Sequence, residues 1–294
     1  MKPVHVALAR LQTRLTIDGD RARGVIQSLP PESNPYDIQG MLVRDIEESD
    51  FRVSVGRFGR LSNNITSMKR EVRAALSVGE EPLRQVDISC SQPALLGRIA
   101  MQRNRTKTAA TTPQHPVPTM MPHFERQERR EGDQLASPKA DLKDYCELVQ
   151  SGQFYDFMLA QLKTGPSPDF TRQQIKERFL TDVVAKRKLN ERGDEYSSCV
   201  EDVFRRRFPS VYRFVRETNK DGWEHANLIR RLQQEESRLV IETVAANLVA
   251  QHPELFVLTL HDAIYTTANG IPVVLNAFEA AFRNAGYPMW LKVA

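Results

Sequence analysis

The chain has 294 residues, 40% of them hydrophobic, and its 41 basic against 37 acidic side chains leave a formal net charge of +4. That length and apolar content describe a globular chain of one large domain or two small ones, and exclude a wholly disordered one. The charge is too mild to mark a nucleic-acid binder by itself.

Its distribution says more. Basic residues gather at positions 98–107, 186–192, 205–207 and 230–231, and local patches rather than net charge make the footprint of a phosphate-backbone binder. A solvated helix face is the plainer account of any one patch. Cys90, Cys146 and Cys199 stand too far apart for a disulfide framework or the close ligand pairs of a zinc site. The opening MKPVHVALARLQTR lacks the apolar core of a signal peptide, and no apolar run is long enough to cross a bilayer. A cytoplasmic location without a membrane partner is expected.

In chain order, residues 4–15 predict a short helix, 28–35 a breaker-rich loop and 36–46 a second helix. Ser62 or the pair Asn63-Asn64 can cap a helix carrying Lys69, Arg70 and Arg73. Residues 83–88 read as a strand and 93–101 as a helix. The stretch from Arg103 to about Ala140, rich in Thr, Pro, Gln and charge, reads as a disordered insertion. The segment DLKDYCELVQSGQFYDFMLAQL predicts two short helices broken at Gly152, with Tyr145, Phe154 and Tyr155 on a buried face. A Gly-Pro-Ser-Pro loop at 165–168, a helix following Thr171 and a helical block over 195–218 interrupted near Pro209 come next. From 226 to 250 the apolar residues Leu228, Leu232, Leu239, Val240, Val244 and Leu248 predict a long amphipathic helix. The ending reads β-β-α-β: strands over 256–260 and 264–267 about His261-Asp262, a helix over 272–285 and a strand over 289–293. No internal repeat is visible.

Two aspartates stand out, Asp87 in LRQVDISCSQ and Asp262 in FVLTLHDAIYTT, each at the end of an apolar, β-rich run. An aspartate ordinarily avoids such a place. Phosphoryl and nucleotidyl transfer calls for carboxylates on a rigid sheet edge, because hard divalent ions at the attacking and leaving oxygens are held by oxygen ligands. The plainer role of each Asp is to cap the turn or helix that follows it. His261 alone reads as a structural histidine of the hairpin, and His115 and His123 carry no ligand spacing.

The residues resemble the polymerase superfamily that unites DNA polymerase I-like (family A) enzymes with phage-type single-subunit RNA polymerases. VDISCSQPALL resembles motif A, where the resemblance implies that Asp87 and the Ile88 carbonyl bind metal and that Ser89 matches a shared serine. LTLHDAIYTT resembles motif C, with His261 near the primer end and Asp262 as the second metal ligand. Between them RQQIKERF resembles motif B, implying that Arg172 and Lys176 contact the triphosphate and that Phe179 or Leu180 lies near the base. GRLSNNITSMKREVRAAL is similar to a segment whose arginines, here Arg60 and Arg73, touch primer or template. LQQEESRLVIETVAANL is similar to a helix whose glutamine, here Gln233 or Gln234, faces the duplex minor groove. Gln92 falls where DNA-polymerising members carry a glutamate against the ribose 2′-hydroxyl. The chain departs from the pattern at Val184, where the family ends motif B in Tyr-Gly, and at Ala263, where DNA polymerases carry a further acid.

The resemblance implies an α+β fold, a polymerase palm with an antiparallel sheet and a helical fingers subdomain. Residues 1–50 would form an N-terminal helical segment, 51–102 the first part of the palm, 103–140 the insertion, 141–225 the fingers and 226–294 the second part of the palm. It implies a Mg²⁺- or Mn²⁺-dependent enzyme of DNA polymerase type acting on primer-template nucleic acid and nucleoside triphosphates. It also implies a reduced frame, as in a mobile element, with a possible helper replication protein. Two alternatives stay open beside it: a catalytically silent, palm-derived nucleic-acid-binding protein, and an RNA polymerase or primase-type activity.

Overall fold

The computed structural model describes residues 1–110, 140–163, 169–186, 198–219 and 226–294, with the backbone alone over 105–110. The predicted insertion from 111 onward, His115, His123, the 165–168 loop and the basic residues 187–192 lie outside the described residues. The chain divides into two compact units, one of Met1–Leu95, Gln150–Gly152 and Ile229–Ala294, the other of Leu96–Val149 and Gln153–Leu228. Antiparallel sheets and helices make a mixed α+β architecture. No helix among the described residues is long and apolar enough to cross a membrane.

The first unit opens with α1 (Pro3–Gln12), β1 (Leu15–Ile17), α2 (Gly19–Ser28) and α3 (Ile38–Glu47). The predicted first helix stops short because Leu15 belongs to a strand that pairs with Leu76–Val78. The hairpin β2 (Val53–Val55) and β3 (Leu61–Asn63) leads to α4 (Arg70–Arg73), β4 (Leu76–Val78), β5 (Glu81–Pro82) and β6 (Arg84–Ile88). Asn63 does cap a helix, but that helix is the single 3-10 turn Asn64–Ser67, closed by a capping box with Thr66. The first fifty residues are not a separate piece: Leu15, Ala22, Val43 and Ile46 share one core with Ile65, Met68, Phe256, Leu258 and Tyr265.

Helix α5 runs Ser91–Ala110, well past the predicted boundary at 101. Residues 103–110, read as disordered from their polarity, are helical because they contain neither Gly nor Pro and because Arg103 is held by Glu217 at 2.6 Å and by the ring of Phe214 at 5.4 Å. The second unit continues with α6 (Ala140–Gln150), α7 (Phe154–Lys163), α8 (Arg172–Arg178), α9 (Cys199–Arg207) and α10 (Pro209–Thr218). Its centre is aromatic. Phe154 meets Phe179 at 4.8 Å, Tyr145 at 5.6 Å and Phe204 at 6.2 Å between ring centroids, all edge to face, the arrangement favoured by the ring quadrupoles.

Helices α11 (Asn227–Ser237) and α12 (Ala246–Gln251) are joined by a π-helical stretch, Arg238–Ala245. Leu232, Glu236, Val240, Val244 and Leu248 repeat every four residues and are all buried. A strict four-residue repeat drifts around a helix of 3.6 residues per turn, and the wider π turn cancels the drift and keeps the row on one face. Then come β7 (Leu258–Leu260), β8 (Ala263–Thr266), α13 (Ile271–Ala285) and β9 (Leu291–Val293). Together with β6 they form an antiparallel sheet in the order β7-β8-β6-β9. Val86, Ile88 and Ile264 are buried as α13 packs on β6 and β8, while Leu258, Leu260, Ala263 and Tyr265 face the N-terminal core.

Candidate active site

In the sheet unit, Asp87 pairs across β6 and β8 with Ala263, the residue after Asp262, and the Ile88 amide donates to the Asp262 carbonyl at 3.3 Å. The two aspartates therefore stand side by side where two adjacent strands end. Leu260 pairs with Ala263, so His261 and Asp262 alone make the turn of the hairpin. His261 takes φ 54°, a left-handed conformation that costs a residue with a Cβ roughly 1–2 kcal/mol. Strain of this kind persists only where the surroundings over-determine it.

The loop after β6 is held just as firmly. Ser89 donates its amide to the Trp290 carbonyl at 2.8 Å, and Cys90 sits at φ 53° with its thiol donating to the Gly152 carbonyl at 3.2 Å. Gly152 is the predicted break between helices, at φ 75°; a Cβ there would come within 3.0 Å of Ser89 Oγ, so the close approach needs glycine.

Arg60, Gln92 and Glu236 meet beside this turn. The β2–β3 loop closes through Gly59 N to the Gly56 carbonyl at 2.9 Å, with Gly59 at φ 78° and packed near Ser237 Oγ, which delivers Arg60 to the helix carrying Glu236. Arg60 Nη2 lies 2.6 Å from Glu236 Oε1, and Gln92 Nε2 donates to Glu236 Oε2 at 3.0 Å. Burial pushes the Glu236 carboxyl up to about 7, with Asp262 adding to the shift, against the opposing pull of Arg60 and Gln92. Desolvation thus outweighs a close ion pair. Desolvation and the cations Arg60 and Arg73 hold the His261 imidazole below its ordinary value, against the pull of Asp262. Arg73 lies over the Tyr265 ring at 5.8 Å, and the Tyr265 hydroxyl donates to Gln85 at 2.8 Å.

The sheet unit thus brings together Asp87, Ile88, Gln92, Arg60, Arg73, His261 and Asp262. Gln233 is half-buried and Gln234 exposed on α11. Arg172, Lys176 and Phe179 belong to the helical unit. There Arg172 and Lys176 are exposed, Arg172 pairing with Asp156 at 3.1 Å and lying over Tyr155 at 5.5 Å. Phe179 corrects an expectation. It is fully buried, its ring packed on Phe154, Tyr155 and Phe204, so it fills the core and offers no face to a base. Phe179–Val184 forms a second π-helical stretch, a feature frequent at functional sites.

Glu236 was missed by sequence reasoning. Its signal was present: it occupies the fourth-residue row Leu232, Glu236, Val240, Val244, as the one charged member of a buried stripe. Among the described residues no three His, Cys, Asp or Glu side chains are grouped so as to hold a metal ion. The donor set of Asp87 and Asp262, two hard carboxylates at a strand end, fits Mg²⁺, which keeps several waters and is commonly bound by one or two carboxylates plus substrate phosphates. No protein-family model matches the chain, and comparison with curated proteins finds no match.

Proposed function

We propose that this protein is a metal-dependent nucleotidyltransferase of polymerase-palm type, adding nucleotides to the 3′-hydroxyl of a nucleic-acid primer, with deoxynucleotides as the substrate. The observation that carries the reading is the pairing of Asp87 beside Asp262, the latter in a strained two-residue turn. Divalent ions held there would activate the attacking oxygen and stabilise the leaving pyrophosphate.

The chain's own groups do the rest. Asp87, on β6, and Asp262, in the β7–β8 turn, would hold the ions with little reorganisation. Arg60 and Arg73 set positive charge beside the turn for the primer backbone, and His261, kept neutral, offers a ring nitrogen near the primer end without adding charge. Gln92 lies against the sugar. Gln233 or Gln234 faces the duplex.

The test is extension of a labelled primer by the purified protein with Mg²⁺ or Mn²⁺, on DNA and RNA templates. Wild type extends, while Asp87→Ala and Asp262→Ala each lose about 10³-fold or more in rate and still bind primer-template. A wild-type protein that binds nucleic acid but extends no primer on any template overturns the enzyme reading in favour of a silent binding module.

A further inference from the structure

Glu236 is out of place as a structural residue. It is 2% exposed in a helix row otherwise made of Leu and Val, and an apolar residue of similar size at a buried ionic position is often neutral or stabilising. Its two oxygens are used separately, one by Arg60 at 2.6 Å and one by Gln92 at 3.0 Å.

The Gln92 amide donates through Nε2 to Glu236 Oε2, which leaves its Oε1 turned away from the carboxyl. Oε1 takes no hydrogen bond from another described residue. Gln92 also lies in the first turn of α5, whose start is fixed by the Ser89 and Cys90 contacts. The side chain is therefore anchored at both ends, and an anchored side chain excludes volume that a free one yields by changing rotamer.

We propose that Glu236 is a positioning residue for sugar choice, pinning Gln92 as a fixed wall against the ribose 2′-hydroxyl and holding Arg60 in register beside it. This rests on the palm reading of the site. It assigns the selection of deoxy- over ribonucleotides to a pair of residues, Gln92 and Glu236, rather than to Gln92 alone.

The experiment measures the ratio of dATP to ATP use in two ways with the full-length protein: equilibrium binding with Mg²⁺ by titration calorimetry, and incorporation into a primer. Gln92→Ala and Glu236→Ala are each expected to lower the deoxy-over-ribo ratio about tenfold, the scale of one hydrogen bond to a charged group. The change should fall mainly in the KM for ATP. The second arm reverses the pair. Gln92→Glu alone opposes two carboxylates and Glu236→Gln alone releases Arg60, whereas the double variant restores one amide-to-carboxylate bond. A ratio in the double variant nearer to wild type than either single supports the pairing.

Additive singles, or a Glu236→Ala ratio equal to wild type, overturn it even if primer extension is robust. If the wild type extends no primer while the variants show the shifted binding ratios, primer extension is overturned and the Glu236 assignment to nucleotide binding stands. Binding of neither nucleotide overturns both.

Discussion

Each unit buries a glutamate, and the two are treated differently. In the helical unit Glu201 receives the Lys186 ammonium on one oxygen and the Tyr212 hydroxyl on the other at 2.6 Å, and Ser198 caps its amide. Tyr212 is correspondingly held well above the ordinary phenol range, first by burial and then by that hydrogen bond. In the sheet unit Glu236 faces Arg60 and Gln92 but also feels Asp262, and its proton affinity is raised although it lies against a guanidinium. The first is a closed structural network, in which every partner of the glutamate is a buried or half-buried side chain of the helix cluster. The second is an unresolved conflict, and together with the left-handed His261 it marks the place where local rules are broken.

Removing one partner should break the closed network most severely. Lys186→Met leaves Glu201 buried without its cation and is expected to cost about 3–5 kcal/mol in urea unfolding, with Glu201→Leu added to it recovering much of the loss. Phe179→Ala should cost a similar amount, about 3–5 kcal/mol. That loss should appear in unfolding before any change in nucleotide KM, because the ring is core.

The conflict in the sheet unit has a pH signature. The Glu236 carboxyl rises from 4.5 to about 7 on folding, so the folded protein binds that proton more tightly than the unfolded chain. Its contribution is fully present below pH 4.5 and is lost as pH climbs through about 7, on the order of 3 kcal/mol. Glu236→Gln should flatten the stability curve across that window, read by unfolding at a series of pH values. His261, held below its ordinary 6.5, works with the opposite sign: its contribution is present above 6.5 and is lost as pH falls through the folded value.

The smallest expected effect is His261→Gly. Relief of the left-handed strain, roughly 1–2 kcal/mol, is offset by about 0.5–1 kcal/mol of glycine entropy. The fold should gain about 0.5 kcal/mol in thermal or urea unfolding while primer extension falls, a trade of stability for a fixed turn.

The sheet that carries Asp87 and Asp262 was legible because Leu258–Leu260 is a β-rich run closed by a turn, Arg84–Ile88 alternates polar with apolar residues from Gln85 on, and the covering helix shows a clear period. The three-residue strands β1 and β4 were not, since Leu15–Ile17 is too short to show alternation and is made a strand only by Leu76–Val78 across from it. α5 was cut short because polarity was read as disorder, although helix propensity and the Arg103 contacts carry it onward. Phe179 was assigned from a motif position, and only packing shows that its ring turns inward. Glu236 hid among neighbours of like polarity in QQEES, where spacing against Leu232 and Val240 was the telling feature.

The sheet order has a kinetic consequence. The turn at His261-Asp262 joins neighbouring strands and can close within microseconds, as hairpins do. β6 reaches that hairpin only by closing a loop that spans the entire helical unit, with β9 adding on its other side, and such distant pairings form slowly. Asp262 is thus placed early and Asp87 joins it late, so a chain trapped partway through folding holds the strained turn without the carboxylate that completes it.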